Sequence, residues 1–314
     1  KALSLRSLGA MVIRTDRRKA KVYYEQALVM FQTIGDKQGE AGTVNNLGII
    51  ALSQSKFTEA QNMFARAVAG YQAIGDRWGQ SVAIMNLGNV AQQLGAYAEA
   101  RDHYQRALWL NREIGSREGE SVALVNLSLI YHLLGENLTA LEYALDALST
   151  ARSLEYEEIE AYALTFQGHA LFALERWEEA MNVYEAALAI RVRVEQIRLA
   201  LEPKAGLARV LLVSGQLARA LGYVDEILST LAQVGFGDAE EPLRIYLTCY
   251  QVLRACGDEE RAFRLLEDAF HRLQEWARRI GDAEDRGQFL RRVAVHRDIV
   301  QEYHVATSSG PYSK

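Results

Sequence analysis

The sequence is poor in proline, with three in 314 residues, and it has only two cysteines. So few prolines leave long stretches free to run as unbroken helix. The abundance of Ala, Leu, Glu, Arg and Gln favours helix throughout. Cys249 and Cys256 lie seven apart, which on a helix leaves them about 10 Å apart along the axis, too far to bridge. They read as reduced core thiols of a cytosolic protein. No apolar run approaches the ~18 residues of a membrane span, and no secretion signal is present. Charge of one sign is scarce as well: the formal net charge is −5. That favours solubility and offers no basic stripe for nucleic acid. The expected location is the cytoplasm, with neither membrane nor nucleic acid as partner.

Catalytic constellations are missing too. His296-Arg297-Asp298 spells the kinase catalytic tripeptide, but no glycine-rich loop or D-F-G accompanies it, so it reads as a solvated patch of a terminal helix. Asn137-Leu138-Thr139 matches a glycosylation sequon, which a chain without a secretion signal never presents to that machinery. The histidines at 103, 132, 169, 271, 296 and 304 are not arranged at the helical spacing that holds zinc. Glu155, Glu157, Glu158 and Glu160 cluster at one turn, where a helix N-terminus explains negative charge without acid–base chemistry. The expectation is a protein that is not an enzyme and holds no metal.

What the chain has is a repeat. Lys56 to Gly95 carries Phe57-Thr58-Glu59-Ala60, Phe64, Ala67, Ile74-Gly75-Asp76 and Asn86-Leu87-Gly88, and the pattern returns forty residues later and forty earlier. A fixed period in this range is the mark of a solenoid. Landmark alanines run Ala20, Ala60, Ala100, Ala140, Ala180, Ala220 and Ala262, with a second small series at Ala27, Ala67, Ala107, Ala147, Ala187, Ile227 and Ala269. Small residues at these points let paired helices approach to ~8–10 Å. Tyr24, Phe64, Tyr104 and Tyr184 fill the gap to the next pair as core aromatics. Gly35, Gly75 and Gly115 sit where second helices end, and Gly95, Gly135 and Gly215 mark the turn inside each pair, a place taken elsewhere by Ser55 and Glu175.

The pattern decays after residue 191. Val194-Glu195-Gln196 replaces the Ile-Gly-Asp turn, Pro203 and Pro242 fall at helix starts, and two residues are inserted around Gly235-Phe236-Gly237-Asp238. The fold expected is all-α: a right-handed superhelical α-solenoid of about seven antiparallel helix pairs over 1–282. A single capping helix follows over 283–306, then a flexible tail over 307–314.

These residues resemble the tetratricopeptide repeat family: a Leu-Gly pair in the first helix, a glycine turn, an aromatic, and spaced alanines in the second helix. The usual unit of that family is 34 residues, and the extra six here lengthen the helices. A narrower stretch, Ala277-Arg278-Arg279-Ile280-Gly281-Asp282 with Phe289-Leu290-Arg291-Arg292-Val293 and His296-Arg297-Asp298-Ile299-Val300, resembles the C-terminal ending of bacterial signal-transduction ATPases of the STAND class. That resemblance implies the sensor piece of a longer polypeptide whose upstream domain binds ATP or ADP, and a start at Lys1 fits it. No G-x-x-x-x-G-K-[ST] occurs, so no nucleotide cofactor is expected in this chain itself.

The tetratricopeptide resemblance implies a concave groove lined by first helices, in which a protein or extended peptide is held. Asn46, Asn86 and Asn126 match the family position whose amide bonds a bound peptide's backbone. An amide carries both donor and acceptor, so it can satisfy a main-chain unit without reading its sequence. The same asparagines also suit packing between repeats. Asn89, Gln92, Gln93, His132 and His169 are expected to face the same groove, with Tyr162 and Phe166 as apolar anchors. The groove is expected to lack the lysines and arginines of clamps that grip C-terminal carboxylates. The function expected is a sensor that holds the ATPase switch inactive until ligand enters. A free-standing scaffold and a quorum-type peptide receptor are the alternatives.

Overall fold

The computed structural model describes residues 1–13, 15–235 and 241–309. The described residues form sixteen helices and no strand. They are α1 (Ala2–Val12), α2 (Arg17–Ile34), α3 (Lys37–Ser53), α4 (Phe57–Ala73), α5 (Arg77–Gln93), α6 (Tyr97–Glu113), α7 (Arg117–Leu133) and α8 (Asn137–Ser153). There follow α9 (Glu157–Ala173), α10 (Trp177–Arg193), α11 (Leu201–Val213), α12 (Leu217–Val234), α13 (Pro242–Ala255), α14 (Glu259–Arg279), α15 (Ala283–Arg292) and α16 (Ala294–Ser309). Consecutive helices pack in pairs, as in a tetratricopeptide-like solenoid.

The Ile-Gly-Asp turn shows how three residues set a boundary. Gly35 and Gly75 take φ of 71° and 73°, the left-handed conformation that ends a helix and suits glycine best. The next residue starts the following helix: Asp36 and Asp76 each accept from a backbone N–H three residues on, at 2.8 Å. Glu155 and Glu195 hold the same left-handed position, at φ 53° and 56°, without a glycine.

The landmark alanines are all buried, as are their partners seven residues on. The aromatic stripe packs more intimately than the sequence suggested. A Cβ on Gly48 would come within 2.6 Å of the Phe64 ring, and one on Gly88 within 2.5 Å of Tyr104. Each aromatic therefore lies on the glycine of its own pair's first helix. Tyr184 does so twice, against Gly168 and against Gly206 of the next pair. Where the pattern places Ser128, its hydroxyl donates to the Ala140 carbonyl at 2.9 Å and the aromatic position holds a buried alanine, Ala144. Glycine with aromatic and serine with alanine are two solutions of one volume problem.

The chain divides into two compact units, the first of residues 1–123 and 278–288, the second of residues 124–277 and 289–314. In the first unit the 278–288 segment meets α4, where Thr58 Oγ1 donates to Asp285 at 3.4 Å.

The terminal segment departs from expectation. Two helices stand where one was expected over 283–306, interrupted at Val293, and α16 runs on through Thr307 to Ser309. At the break, His296 Nδ1 donates to the Phe289 carbonyl at 2.8 Å and the two rings lie 4.3 Å apart. His296 is thus buried rather than solvated, and burial brings its pKa down to about 4. The inserted stretch after Gly235 and the end of the expected tail lie outside the described residues.

Candidate functional site

In the first unit the expected groove residues form a chain of amides. Asn86 Nδ2 on α5 donates to Asn45 on α3 at 3.0 Å, and Asn86 Oδ1 accepts from Asn89 at 3.4 Å. Asn89 Oδ1 and Gln92 Oε1 lie 2.7 and 2.9 Å from the Tyr104 hydroxyl of α6. That hydroxyl has one proton, so it donates to one amide at a time, and a half-turn of the Gln92 amide would let its NH₂ donate in return. Asn86 therefore spends one donor and one acceptor on its neighbours and keeps one of each. Asn46 is half-buried, and Gln93 is exposed. The amides are neutral, so this face offers hydrogen-bonding groups rather than charge.

In the second unit His132, His169, Phe166 and Tyr162 come together, while Asn126 stands half-buried on α7. His132 and His169 have ring centres 5.7 Å apart, His169 and Phe166 5.8 Å, and Phe166 and Tyr162 5.9 Å. Arg191 lies 4.2 Å over the Tyr162 ring, a cation–π contact that burial strengthens.

A charged cluster surrounds His169. Its Nδ1 lies 2.7 Å from the Tyr184 hydroxyl, which in turn accepts from Arg209 Nη2 at 3.2 Å. Arg209 Nη2 also lies 3.2 Å from Nδ1 itself, and a guanidinium only donates, so Nδ1 accepts and the ring proton of neutral His169 sits on Nε2. That nitrogen is 3.2 Å from Glu202 Oε1, but off the line a hydrogen bond needs, and both atoms lack a hydrogen-bond partner. Arg244 pairs with Glu241 one turn away. Both oxygens of Glu202, Arg209 Nε and Arg244 Nη1 are buried without partners among the described residues.

The environment sets the protonation states. Burial, then the positive charges of Arg244 and Arg209, drives His169 well below its usual range, and burial does the same to His132. Burial pushes Glu202 and Glu241 up, against the opposing pull of Arg244. The histidines are neutral at pH 7. His169 and Tyr184 are at most 1 % exposed, so this cluster is closed to solvent.

Glu202, Arg209, Glu241 and Arg244 did not figure in the sequence reading; Arg209 and Arg244, on α11 and α13, belong to the cluster around His169. The signal was present in the repeat itself. Asn89, His169 and Arg209 occupy one repeat position, and Glu202 stands where Val82, Val122 and Tyr162 stand in earlier units. A charge at an apolar repeat position is a departure that periodicity alone can flag.

The comparisons agree with this architecture. A tetratricopeptide repeat profile matches residues 80–153, and a second matches 41–74 and 161–196. No curated protein matches the chain. Among solved structures, NprR in complex with its cognate peptide NprX is 13% identical with a TM-score of 0.67, covering 99% of this chain and 86% of that one. A Rap protein complexed with Competence and Sporulation Factor is 16% identical with a TM-score of 0.65, covering 96% and 85%. A tetratricopeptide repeat protein from Parabacteroides merdae is 17% identical with a TM-score of 0.58, covering 93% and 98%. At these identities the likeness is one of fold. The chain carries tetratricopeptide repeats over residues 41–74, 80–153 and 161–196.

Proposed function

We propose that the chain is a non-catalytic module that binds an extended peptide or a protein surface along the polar sides of its first helices. In this reading it is the sensor of a STAND-class ATPase and keeps the nucleotide switch off until ligand enters. The observation that carries the binding reading is the set of amides Asn46, Asn86, Asn89, Gln92 and Asn126, all half-buried. Asn46, Asn86 and Asn126 recur at one repeat position, and Asn86 keeps a donor and an acceptor to spare. Such groups match a main-chain unit of any sequence. The sensor role rests on the sequence likeness of residues 277–300 to the ATPase ending. Linkage supplies the mechanism, since a ligand shifts the switch only by its different affinity for the two forms.

A peptide receptor acting without an ATPase is the second reading. The fold shared with NprR and the Rap protein over nearly the whole chain favours it.

Selection of end-blocked random peptides on the immobilised chain tests the binding reading. Selected peptides should lose affinity at least about tenfold in the Asn46→Ala/Asn126→Ala variant, at about 1 kcal/mol per bond left unmade. No selected peptide, or equal affinity in the variant, would refute it. A selected peptide that speeds nucleotide exchange in a polypeptide extended to include the ATPase domain supports the sensor role. Unchanged exchange leaves the free receptor.

A further inference from the structure

Among the helical glycines of the first unit, Gly42 has different neighbours from the rest of its kind. A Cβ on Gly9, Gly39, Gly48, Gly79 or Gly88 would strike a core aromatic ring. One on Gly42 would instead lie 2.9 Å from Arg6 Nη1 and 3.2 Å from the Tyr71 hydroxyl. Glycine inside a helix costs about 1 kcal/mol against alanine, and Gly42 stands at the repeat position of Val82, Val122 and Tyr162. The missing side chain leaves a guanidinium nitrogen and a hydroxyl over one half-buried spot on α3. Asn46 lies four residues on, one turn along the same face.

Both donors are held in place, and neither is used. Arg6 lies 5.6 Å over the Phe31 ring and forms no hydrogen bond or ion pair with a described residue. The Tyr71 ring is 8% exposed and packs on Gly79, and no described group bonds its hydroxyl. Burial, then Asp76, raises its pKa against the opposing pull of Arg6, so the hydroxyl keeps its proton and can donate. All six carboxylates of residues 1–76 are committed elsewhere. Asp16, Asp36 and Asp76 cap helices, Glu25 and Glu59 pair with lysines, and Glu40 bonds Lys37 and Gln32. Arg6 is left as a half-buried cation without a counter-ion among the described residues. Such a charge is costly to hold unpaired, and its planar fork matches a carboxylate.

We propose that Arg6, Tyr71 and Gly42 form a subsite for an acidic side chain of the peptide held along the first helices. The carboxylate accepts from the Arg6 guanidinium and the Tyr71 hydroxyl above Gly42, while Asn46 takes the main chain beside it. The turn between Gly42 and Asn46 spans about 5.4 Å, which a Glu side chain can bridge from a main chain bonded at Asn46. The subsite rests on the peptide-binding reading above and adds to it a preference for an acidic residue at one ligand position. At this one point the groove departs from the face without basic residues that the sequence suggested.

The test is selection of end-blocked random peptides on the immobilised full chain, in parallel on Arg6→Gln and on Asn46→Ala/Asn126→Ala. Peptides selected on the parent should share Asp or Glu at one fixed position. Changing that residue to Asn or Gln should weaken binding about tenfold, and high salt should weaken it too. Arg6→Gln, with an unchanged circular dichroism spectrum, should bind the acidic peptide and its amide counterpart equally. Tyr71→Phe, which removes only the hydroxyl, should lower affinity about threefold. In the Asn46→Ala/Asn126→Ala variant binding should weaken while the acidic preference survives. Selected peptides without a shared acidic residue, or a preference that outlasts Arg6→Gln, would overturn the subsite and leave peptide binding standing. No selected peptide would overturn both. Acetate competing as well as the peptide at equal concentration would overturn it in favour of a free-anion pocket. An unblocked C-terminus that replaces the acidic residue without loss would overturn the side-chain assignment.

Discussion

The two units solve the same packing problem with different polar chemistry. In the first, Asn45, Asn86, Asn89, Gln92 and Tyr104 link neutral groups through hydrogen bonds. In the second, Glu202, Arg209, Glu241 and Arg244 place carboxyl and guanidinium groups around the neutral His169 and Tyr184. A neutral amide left unmatched loses about 1–3 kcal/mol. A buried charge left unmatched loses more, because no nearby water compensates it. The repeat scaffold is therefore indifferent to which chemistry lines it, while the consequences of disturbing that lining differ sharply.

The largest effect is expected in the charged unit. Arg244→Met leaves Glu241 and Glu202 without their nearest cation, and should cost about 3 kcal/mol or more by urea denaturation. A loss below about 1 kcal/mol would show the cluster to be wetter than its geometry implies. Lower pH should weaken the same unit. His132 and His169 have folded pKa values below the usual 6.5, so the unfolded chain binds more protons there. The stability they give is full above pH ~6.5 and declines as pH falls below it. Replacing both by Gln should flatten that part of the melting profile. A profile unchanged by the substitution would break the contrast between the units.

The next effect lies in packing, which the units share. Gly88→Ser puts a Cβ about 2.5 Å from Tyr104 and should cost about 2 kcal/mol. Tyr104→Ala in the same chain copies the Ser128/Ala144 pair and should recover part of that loss. A double variant no better than the sum of the singles would mean that the pairing is not what fits these helices together.

Smaller still is the amide chain. Asn86→Ala should cost about 1 kcal/mol of stability. Asn46→Ala should cost less, because no described residue bonds to it, and should act mainly on ligand affinity. Equal losses at the two would erase the division of labour between them.

Much of this was legible in the sequence. The alanine series, the Ile-Gly-Asp turns and the forty-residue period are local regularities, and each repetition confirms the last. The terminal helices were read less well, because Phe289 and His296 interact through a side-chain-to-carbonyl bond that no periodicity encodes. The charged cluster was missed for a related reason. Glu202 and Arg244 each look like ordinary surface charges on one helix, and only packing of consecutive pairs buries them together. The sequence singled out Asn46, Asn86 and Asn126 but could not show that Asn86 bonds to Asn45 rather than to Asn46.

The most direct test of the account is the side-chain amide NMR spectrum of the full chain, titrated with a selected end-blocked peptide. The resonances of Asn46 and Asn126 should shift in step with binding, and that of Asn86 should shift less, since its neighbours already hold half of its bonding capacity. Binding that leaves all three unmoved would contradict the claim that the first helices take the ligand through their amides.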